Sequence, residues 1–160
     1  MSDNYIEKNV DQIMEEKAFP LNMAMACCWI LGSFKGINLK LLDVSKNSSL
    51  ADYYLLVSAT NLTQAQSMAD EVVKQMKRKG YQTNSKEGHN QESEWVLLDL
   101  KDIIIHIFQE NTRPVYDLDN LWEDAKTVEI PHHYYFSDAE IENAKELESD
   151  SDEGDDKDYF

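Results

Sequence analysis

Two short motifs carry residue types that could hold a divalent metal for phosphoryl transfer. Leu31-Gly32-Ser33 is followed by Asp43-Val44-Ser45, and nucleotidyltransferases combine a Gly-Ser turn with two strand carboxylates, one residue apart, to hold the metal. Paired carboxylates matter because Mg²⁺ is bound through carboxylate and phosphate oxygens, and two-metal chemistry needs several of them. Here Ser45 stands where the second carboxylate is required. The sequence therefore predicts no catalytic residue and no cofactor, with a nucleotidyltransferase-like enzyme as the alternative.

The histidines offer a second kind of metal chemistry. His132-His133 stand before an acidic tail, so imidazole and carboxylate ligands could meet there. Adjacent side chains on an extended chain point in opposite directions, however, and His106 lies in an isoleucine-rich segment typical of a packed strand. We therefore expect no metal site. The sequence also contains no nucleophile elbow, phosphate-binding glycine loop or Cys-x-x-Cys pair.

Cysteine usage and the chain ends bear on the compartment. Cys27 and Cys28 are adjacent, a spacing that rarely reaches disulfide geometry, so a reducing compartment is favoured. The acidic start, residues 1–17, has neither a secretion signal nor an arginine-rich transit peptide. The longest apolar run, Met23 to Leu31, is shorter than the roughly 20 residues of a membrane-spanning helix. We expect a cytoplasmic protein that does not enter membranes.

Charge is strongly negative and unevenly placed. The 160 residues carry a net charge of −16, and residues 137–160 contain 11 acidic and 2 basic residues. An acidic surface repels phosphate backbones and attracts basic proteins, so we expect no direct sequence-specific nucleic-acid binding and a basic protein partner. The predicted organisation is a polar N-terminal extension (1–20), one domain (21–131) and an acidic, largely disordered tail (132–160).

The periodicity of apolar residues predicts an α+β fold. A first helix follows Pro20 and is apolar on both sides, so either the core or a partner such as a second copy of the chain must cover it. A second helix begins near Asn61, with Gln64 completing a capping box, and ends by Gly80. A short helix follows Asp117. Together these elements indicate a mixed β-sheet of about five strands flanked by helices; the expected strands are 39–44, 53–57, 81–85, 95–100 and 103–108.

The predicted strand 95–100 has large apolar groups on both faces. Alternation places Trp95, Leu97 and Asp99 on one side and Val96, Leu98 and Leu100 on the other. Such a strand is either the buried centre of a covered sheet or presents one face to a partner, for which tryptophan is a common anchor. The residues alone leave both interpretations open.

A series of ordered motifs between Ile37 and Val128 resembles the RsfS/Iojap family. The motifs, in chain order, are Leu42-Asp43-Val44, Leu50-Ala51-Asp52-Tyr53-Tyr54, Gln64 with Ala69-Asp70, Glu87-Gly88, Glu94 to Asp99, Ile105 to Phe108, and Arg113 through Tyr116-Asp117-Leu118 to Leu121-Trp122. The resemblance implies a fold akin to nucleotidyltransferases without their catalytic carboxylates. The sequence differs from the usual family pattern at three positions: Thr63 stands in place of an arginine, and Ser93 and Lys101 each stand in place of a glycine.

The resemblance also implies a target and a mode of action. Family members bind the large ribosomal subunit at its intersubunit face, through ribosomal protein fourteen, and so block joining of the small subunit. The positions expected to face that partner are Trp95 and Leu100, with Asp99, Lys101 and Asp102 beside them. A large-subunit assembly factor that does not silence translation is the alternative.

Overall fold

The structure is a computed structural model and describes residues 3–88 and 94–135. The helices are α1 Asp3–Glu16, α2 Leu21–Ser33, α3 Leu62–Arg78, α4 Arg113–Tyr116 and α5 Leu118–Leu121, with a 3₁₀ turn at His132–Tyr134. The strands are β1 Ile37–Asp43, β2 Tyr53–Ala59, β3 Ser85–Glu87, β4 Trp95–Asp99, β5 Ile103–Gln109 and β6 Lys126–Val128. Most of the expected acidic tail, from Phe136 onward, lies outside the described residues.

The strands form one mixed sheet in the order β3-β4-β5-β2-β1-β6. Strands β2 and β5 are parallel, and every other neighbouring pair is antiparallel. This confirms the predicted α+β class with a mixed sheet. The sheet has six strands because Lys126–Val128, which the sequence analysis did not identify as a strand, pairs with β1.

Helix α2 lies at the centre of the larger core. Eleven of its residues are buried, because α1, α3, the sheet and the 3₁₀ turn all contact it. The expected cover on more than one face is thus supplied by this chain. Burial raises the pKa of the Cys27 thiol to about 12 and that of Cys28 well above its ordinary value, so both thiols are protonated at neutral pH.

Helix α1 forms where the sequence analysis expected a polar extension. Its buried side chains recur at helical spacing and pack on α2; they are Ile6, Val10, Ile13 and Met14. The end of α3 also holds it, since Asp11 pairs with Arg78 at 2.8 Å and with Lys79 at 3.1 Å. The hydrogen bond from Arg78 lowers the pKa of the Asp11 carboxyl. The first helix is therefore part of the folded body.

The start of α3 confirms the predicted cap and extends it. The Asn61 side chain accepts the backbone N–H of Gln64 at 2.8 Å. The Gln64 amide accepts the N–H of Thr60 at 2.7 Å and donates to the carbonyl oxygens of Phe34 and Lys35 at 2.9 and 3.0 Å. Gln64 thereby fixes the helix start against the turn between α2 and β1.

The predicted strand 81–85 is wrong in its position. Residues 81–84 connect α3 to the sheet, and only Ser85–Glu87 pairs with β4. The connection starts with the Tyr81 backbone N–H, which bonds to the Met76 carbonyl at 2.8 Å and so belongs to the helix end.

Candidate functional site

The second face of the sheet carries a smaller core and, within the described ranges, no long helix. Its cover comes from α4, α5 and the chain that leads to β6. Cross-strand pairs between β4 and β5 set this face, with Trp95 opposite Phe108, Leu97 opposite His106 and Asp99 opposite Ile104. The buried members of the smaller core are Leu42, Val44, Ala51, Tyr54, Leu56, Ile104, Phe108 and Ala125, and Trp95, Leu97, Leu118 and Trp122 border it half-buried.

Trp95 is half-buried at the border of this core. Its ring centroid lies 5.1 Å from Phe108 in a stacked arrangement and 4.7 Å from Tyr116. Its indole Nε1 donates a hydrogen bond to His106 Nδ1 at 3.1 Å. We call the rings of Trp95, Phe108 and Tyr116 the aromatic patch. The tryptophan packs against the smaller core and remains partly accessible, so its burial is compatible with both interpretations left open by the sequence.

His106 lies beneath the indole and is 5% exposed. Burial lowers its pKa to about 4, so the ring is neutral at neutral pH. Because Nδ1 accepts the hydrogen bond from Trp95, the proton of the neutral ring is on Nε2. That nitrogen is buried and has no hydrogen-bond partner among the described residues. The expectation of a satisfied packing histidine is therefore only half met.

Beside the aromatic patch, the segment 113–121 exposes several apolar side chains. Tyr116 is 46% exposed, Val115 77% and Leu121 68%. Exposed apolar groups close to one another are typical of protein-binding surfaces. The motif series included Tyr116 and Leu121 without giving them a role, and the sequence alone could not show that the fold brings Tyr116 onto Trp95.

An arginine holds this segment on the sheet. The Arg113 Nε and Nη2 atoms donate to the two carboxylate oxygens of Asp119 at 3.1 and 2.9 Å. Its Nη1 donates to the Asn38 carbonyl at 2.6 Å and to Ser58 Oγ at 3.1 Å. The hydrogen bond from Arg113 lowers the pKa of the Asp119 carboxyl. The bidentate pair joins α4 to α5, and the two Nη1 hydrogen bonds join α4 to the ends of β1 and β2. Together these contacts position Tyr116.

The β4–β5 hairpin carries the remaining predicted contact residues. Asp99 Oδ1 accepts the backbone N–H of Lys101 at 2.8 Å, and the Asp102 N–H bonds to the Leu100 carbonyl at 3.0 Å. Lys101 is exposed, and Asp99 and Asp102 are half-buried. Asp99 ends β4, about 13 Å along the strand from Trp95, and Lys101 and Asp102 follow it in the turn.

Leu100 is placed differently from its neighbours. Its side chain is 2% exposed and belongs to the larger core, with Val96 and Leu98. A side chain enclosed in that core cannot contact a partner in this conformation, so we do not keep Leu100 among the contacts that we propose. The alternation along the strand already placed it opposite Trp95.

A glycine next to β4 supports the position of Trp95. A Cβ atom at Gly88, which has φ +76°, would overlap the carbonyl oxygen of Trp95. Any other side chain at this position would push β4 away. The close approach of β4 therefore explains why the Glu87-Gly88 motif has a glycine at its second position.

The two motifs that suggested phosphoryl transfer lie apart. Gly32 and Ser33 end α2, whereas Asp43 ends β1, so most of a seven-residue strand, about 20 Å, separates them. The Asp43 carboxylate accepts hydrogen bonds from the Ser45 backbone N–H at 3.0 Å and from Ser45 Oγ at 2.6 Å, and these lower its pKa. In residues 3–88 and 94–135, no three His, Cys, Asp or Glu side chains cluster closely enough to hold a metal ion.

None of the helices in the described part of the chain is both long enough and apolar enough to span a membrane.

Known proteins are similar to this chain in sequence and in fold. This chain is 32% identical over 117 residues to the ribosomal silencing factor RsfS of Bacillus subtilis, a match that covers 73% of this chain and 95% of that protein. It is 34% identical over 92 residues to RsfS of Haemophilus influenzae, covering 58% and 89%. The chloroplastic protein Iojap of Zea mays is 24% identical over 119 residues, covering 73% of this chain and 50% of that protein.

Two solved structures resemble the fold. A crystal structure of a Bacillus halodurans protein superposes with a TM-score of 0.58 at 28% identity, covering 69% of this chain and 96% of that one. A Chromobacterium violaceum protein superposes with a TM-score of 0.55 at 26% identity, covering 77% and 88%.

The profile of one protein family matches most of the chain. The family is described as "Ribosomal silencing factor during starvation", and the match covers residues 17–158. It reaches beyond the motif series on both sides, into the acidic tail, and leaves residues 1–16, which contain α1, and residues 159–160 outside. This chain belongs to the RsfS family of ribosomal silencing factors.

Proposed function

We propose that this ribosome-associated silencing factor binds the large ribosomal subunit at its intersubunit face, through ribosomal protein fourteen, and prevents the small subunit from joining. The observation that carries the proposal is the family match over residues 17–158. The mechanism is occupation of a surface, so no bond is made or broken and no catalytic residue takes part. We place this action in the cytoplasm.

The aromatic patch supports the proposal as an anchor for a protein partner. Trp95 and Tyr116 are partly exposed and rest on a buried Phe108, an arrangement that offers apolar area without much loss of side-chain freedom on binding. Asp99, Lys101 and Asp102 give the other end of β4 its polar character. We propose Trp95 and these three hairpin residues as contacts, with Tyr116 beside them.

Charge supports a basic protein as the partner. A net charge of −16 repels bare RNA and draws the chain toward basic protein surfaces on the ribosome. Charge of this kind acts mainly on the rate of encounter and on the choice of partner, while the apolar anchor provides most of the affinity.

Co-sedimentation with separated ribosomal subunits tests the proposal. We expect the protein to migrate with large subunits and not with small ones. Trp95→Ala should bind about thirtyfold more weakly, the loss of about 2 kcal/mol that is typical of a binding anchor. Phe19→Ala is the matched control, because Phe19 is an exposed ring stacked on Tyr81, away from the patch, and it should bind normally.

Two outcomes would redirect the proposal. If Trp95→Ala alone unfolds well below the wild-type melting temperature, the tryptophan is chiefly a core residue. If it stays folded and binds normally, the contact lies elsewhere. A free protein that sediments as a dimer, with Trp95→Ala as a monomer, would assign the patch to a second copy of this chain.

A further inference from the structure

The His106 ring packs against the Trp95 ring of the aromatic patch, with the centroids 5.5 Å apart. We propose, on the basis of the function proposed above, that His106 is a positioning residue: its Nδ1 atom holds the Trp95 indole in the orientation that the partner meets. With 5% exposure, His106 itself does not reach the partner.

The contacts around the indole support a positioning role. An indole has a single N–H donor, and His106 accepts it at 3.1 Å. Phe108 stacks against the ring at 5.1 Å and Tyr116 lies at 4.7 Å, so packing restrains the ring and the hydrogen bond selects which edge faces outward. A side chain that is already ordered loses less freedom when it binds.

The unpaired nitrogen offsets part of the stability that the hydrogen bond from Trp95 provides, which favours a role for the histidine beyond stability. Among the residues that the structure describes, His106 Nε2 is buried without a hydrogen-bond partner, and burying a polar group in this state is unfavourable. A phenyl ring is somewhat larger than an imidazole, but it has no polar atom that could be left unpaired. Only the Nδ1 side of the imidazole makes a hydrogen bond, and Trp95 is its donor.

The surroundings of the ring keep Nδ1 able to accept. The described side chains that face His106 include Tyr54 and Leu56 from β2, Trp95 and Leu97 from β4, and Phe108 from β5. None of them is a carboxylate or an amine, so burial alone acts on the ring and favours its neutral form. A protonated ring would have N–H groups on both nitrogens and could not accept the indole hydrogen bond.

Two variants separate positioning from packing. His106→Phe keeps an apolar ring and removes the acceptor, whereas His106→Asn places an amide oxygen near the former Nδ1 and leaves space where the rest of the ring was. We expect His106→Phe to melt at or above the wild-type temperature but to bind large subunits about fivefold more weakly. His106→Asn should melt earlier and bind within about twofold of wild type.

A double-mutant cycle with Trp95→Phe tests whether His106 acts on affinity through the Trp95 indole N–H. Trp95→Phe has no indole N–H, so adding His106→Phe to it should change the affinity no further. In the free protein, the Trp95 indole N–H should exchange slowly with solvent in the wild type and in His106→Asn, and faster in His106→Phe.

The outcomes distinguish this inference from the function on which it rests. Wild-type protein that fails to bind large subunits overturns both. Wild-type binding together with unchanged affinity of His106→Phe overturns the positioning role alone. So does affinity that simply follows the melting temperature in the two variants, or an equal loss from His106→Phe in the Trp95→Phe background.

Discussion

At the scale of single residues, Lys101 has a backbone conformation that is unfavourable for a residue with a Cβ. It has φ +77° at the tip of the β4–β5 hairpin, and the Asp102 N–H bonds to the Leu100 carbonyl across it. A three-residue turn with a positive φ at its centre is strained for any residue with a Cβ. Glycine, which has no Cβ, is the residue that fits this conformation.

Replacing Lys101 by glycine should therefore stabilise the chain. Lys101→Gly removes the strain and adds flexibility to the unfolded state, and we expect a net gain of about 0.5–1 kcal/mol in the free energy of unfolding. Lys101→Ala keeps the Cβ and should give no gain. Urea denaturation measures both, and equal stabilities of the glycine and alanine variants would show that backbone strain is not the cause.

His106 should also make stability depend on pH. Its pKa is lowered to about 4 in the folded chain from 6.5, so the unfolded chain binds more protons between these values and stability falls as the pH falls. We expect a loss of about 2 kcal/mol between pH 7.5 and pH 5 from this residue. His106→Phe should remove that part of the slope. Parallel pH profiles for the two proteins would contradict the buried neutral histidine.

At the scale of elements, regular and local patterns were predictable from the sequence. Helix α3 has both a cap at Asn61 and an apolar stripe, and the β4–β5 hairpin has two strands joined by a short turn. Strand β6 has three residues, too few for a period, and it exists because β1 offers an edge to pair with. The position of β3 depends in the same way on the register of β4.

Helix α1 was missed for a different reason. Its stripe of Ile6, Val10 and Ile13 was visible, but the surrounding acidic residues dominate the composition, and the stripe gains stability only from α2, whose second apolar side needs a cover. The same dependence on distant contacts applies to the site. The strand pattern left the role of Trp95 open, and the family resemblance is what pointed to it as a contact. Its packing against Tyr116 follows from the Arg113–Asp119 pair, which no local pattern contains.

The packing of α1 can be measured. Ile6 is 2% exposed, and Ile6→Ala should lower the free energy of unfolding by about 2–4 kcal/mol, because it leaves a cavity between α1 and α2. Gln12→Ala, on the exposed side of the same helix, should stay within about 0.5 kcal/mol of wild type. A negligible effect of Ile6→Ala would restore the polar-extension interpretation of residues 1–20.

At the scale of the whole molecule, the sheet has two unlike faces. One is covered by α2 and α3, with α1 packed on α2, and the other is covered in part by α4 and α5, with Trp95 and Tyr116 at its border. We propose that the first face serves stability and that the second meets the partner. The parts of the proposed surface come from β4, its hairpin and the segment 113–121, so the surface exists only in the folded chain.

Subunit joining is the most direct test of the central claim. Purified large and small subunits are mixed with increasing amounts of the protein and separated on a sucrose gradient, with Trp95→Ala and Phe19→Ala run in parallel. We expect wild type and Phe19→Ala to replace joined ribosomes with free subunits, and Trp95→Ala to need about thirtyfold more protein for the same effect. Joined ribosomes that persist while saturating wild-type protein sits on the large subunit would contradict silencing by steric exclusion and favour a role in subunit assembly.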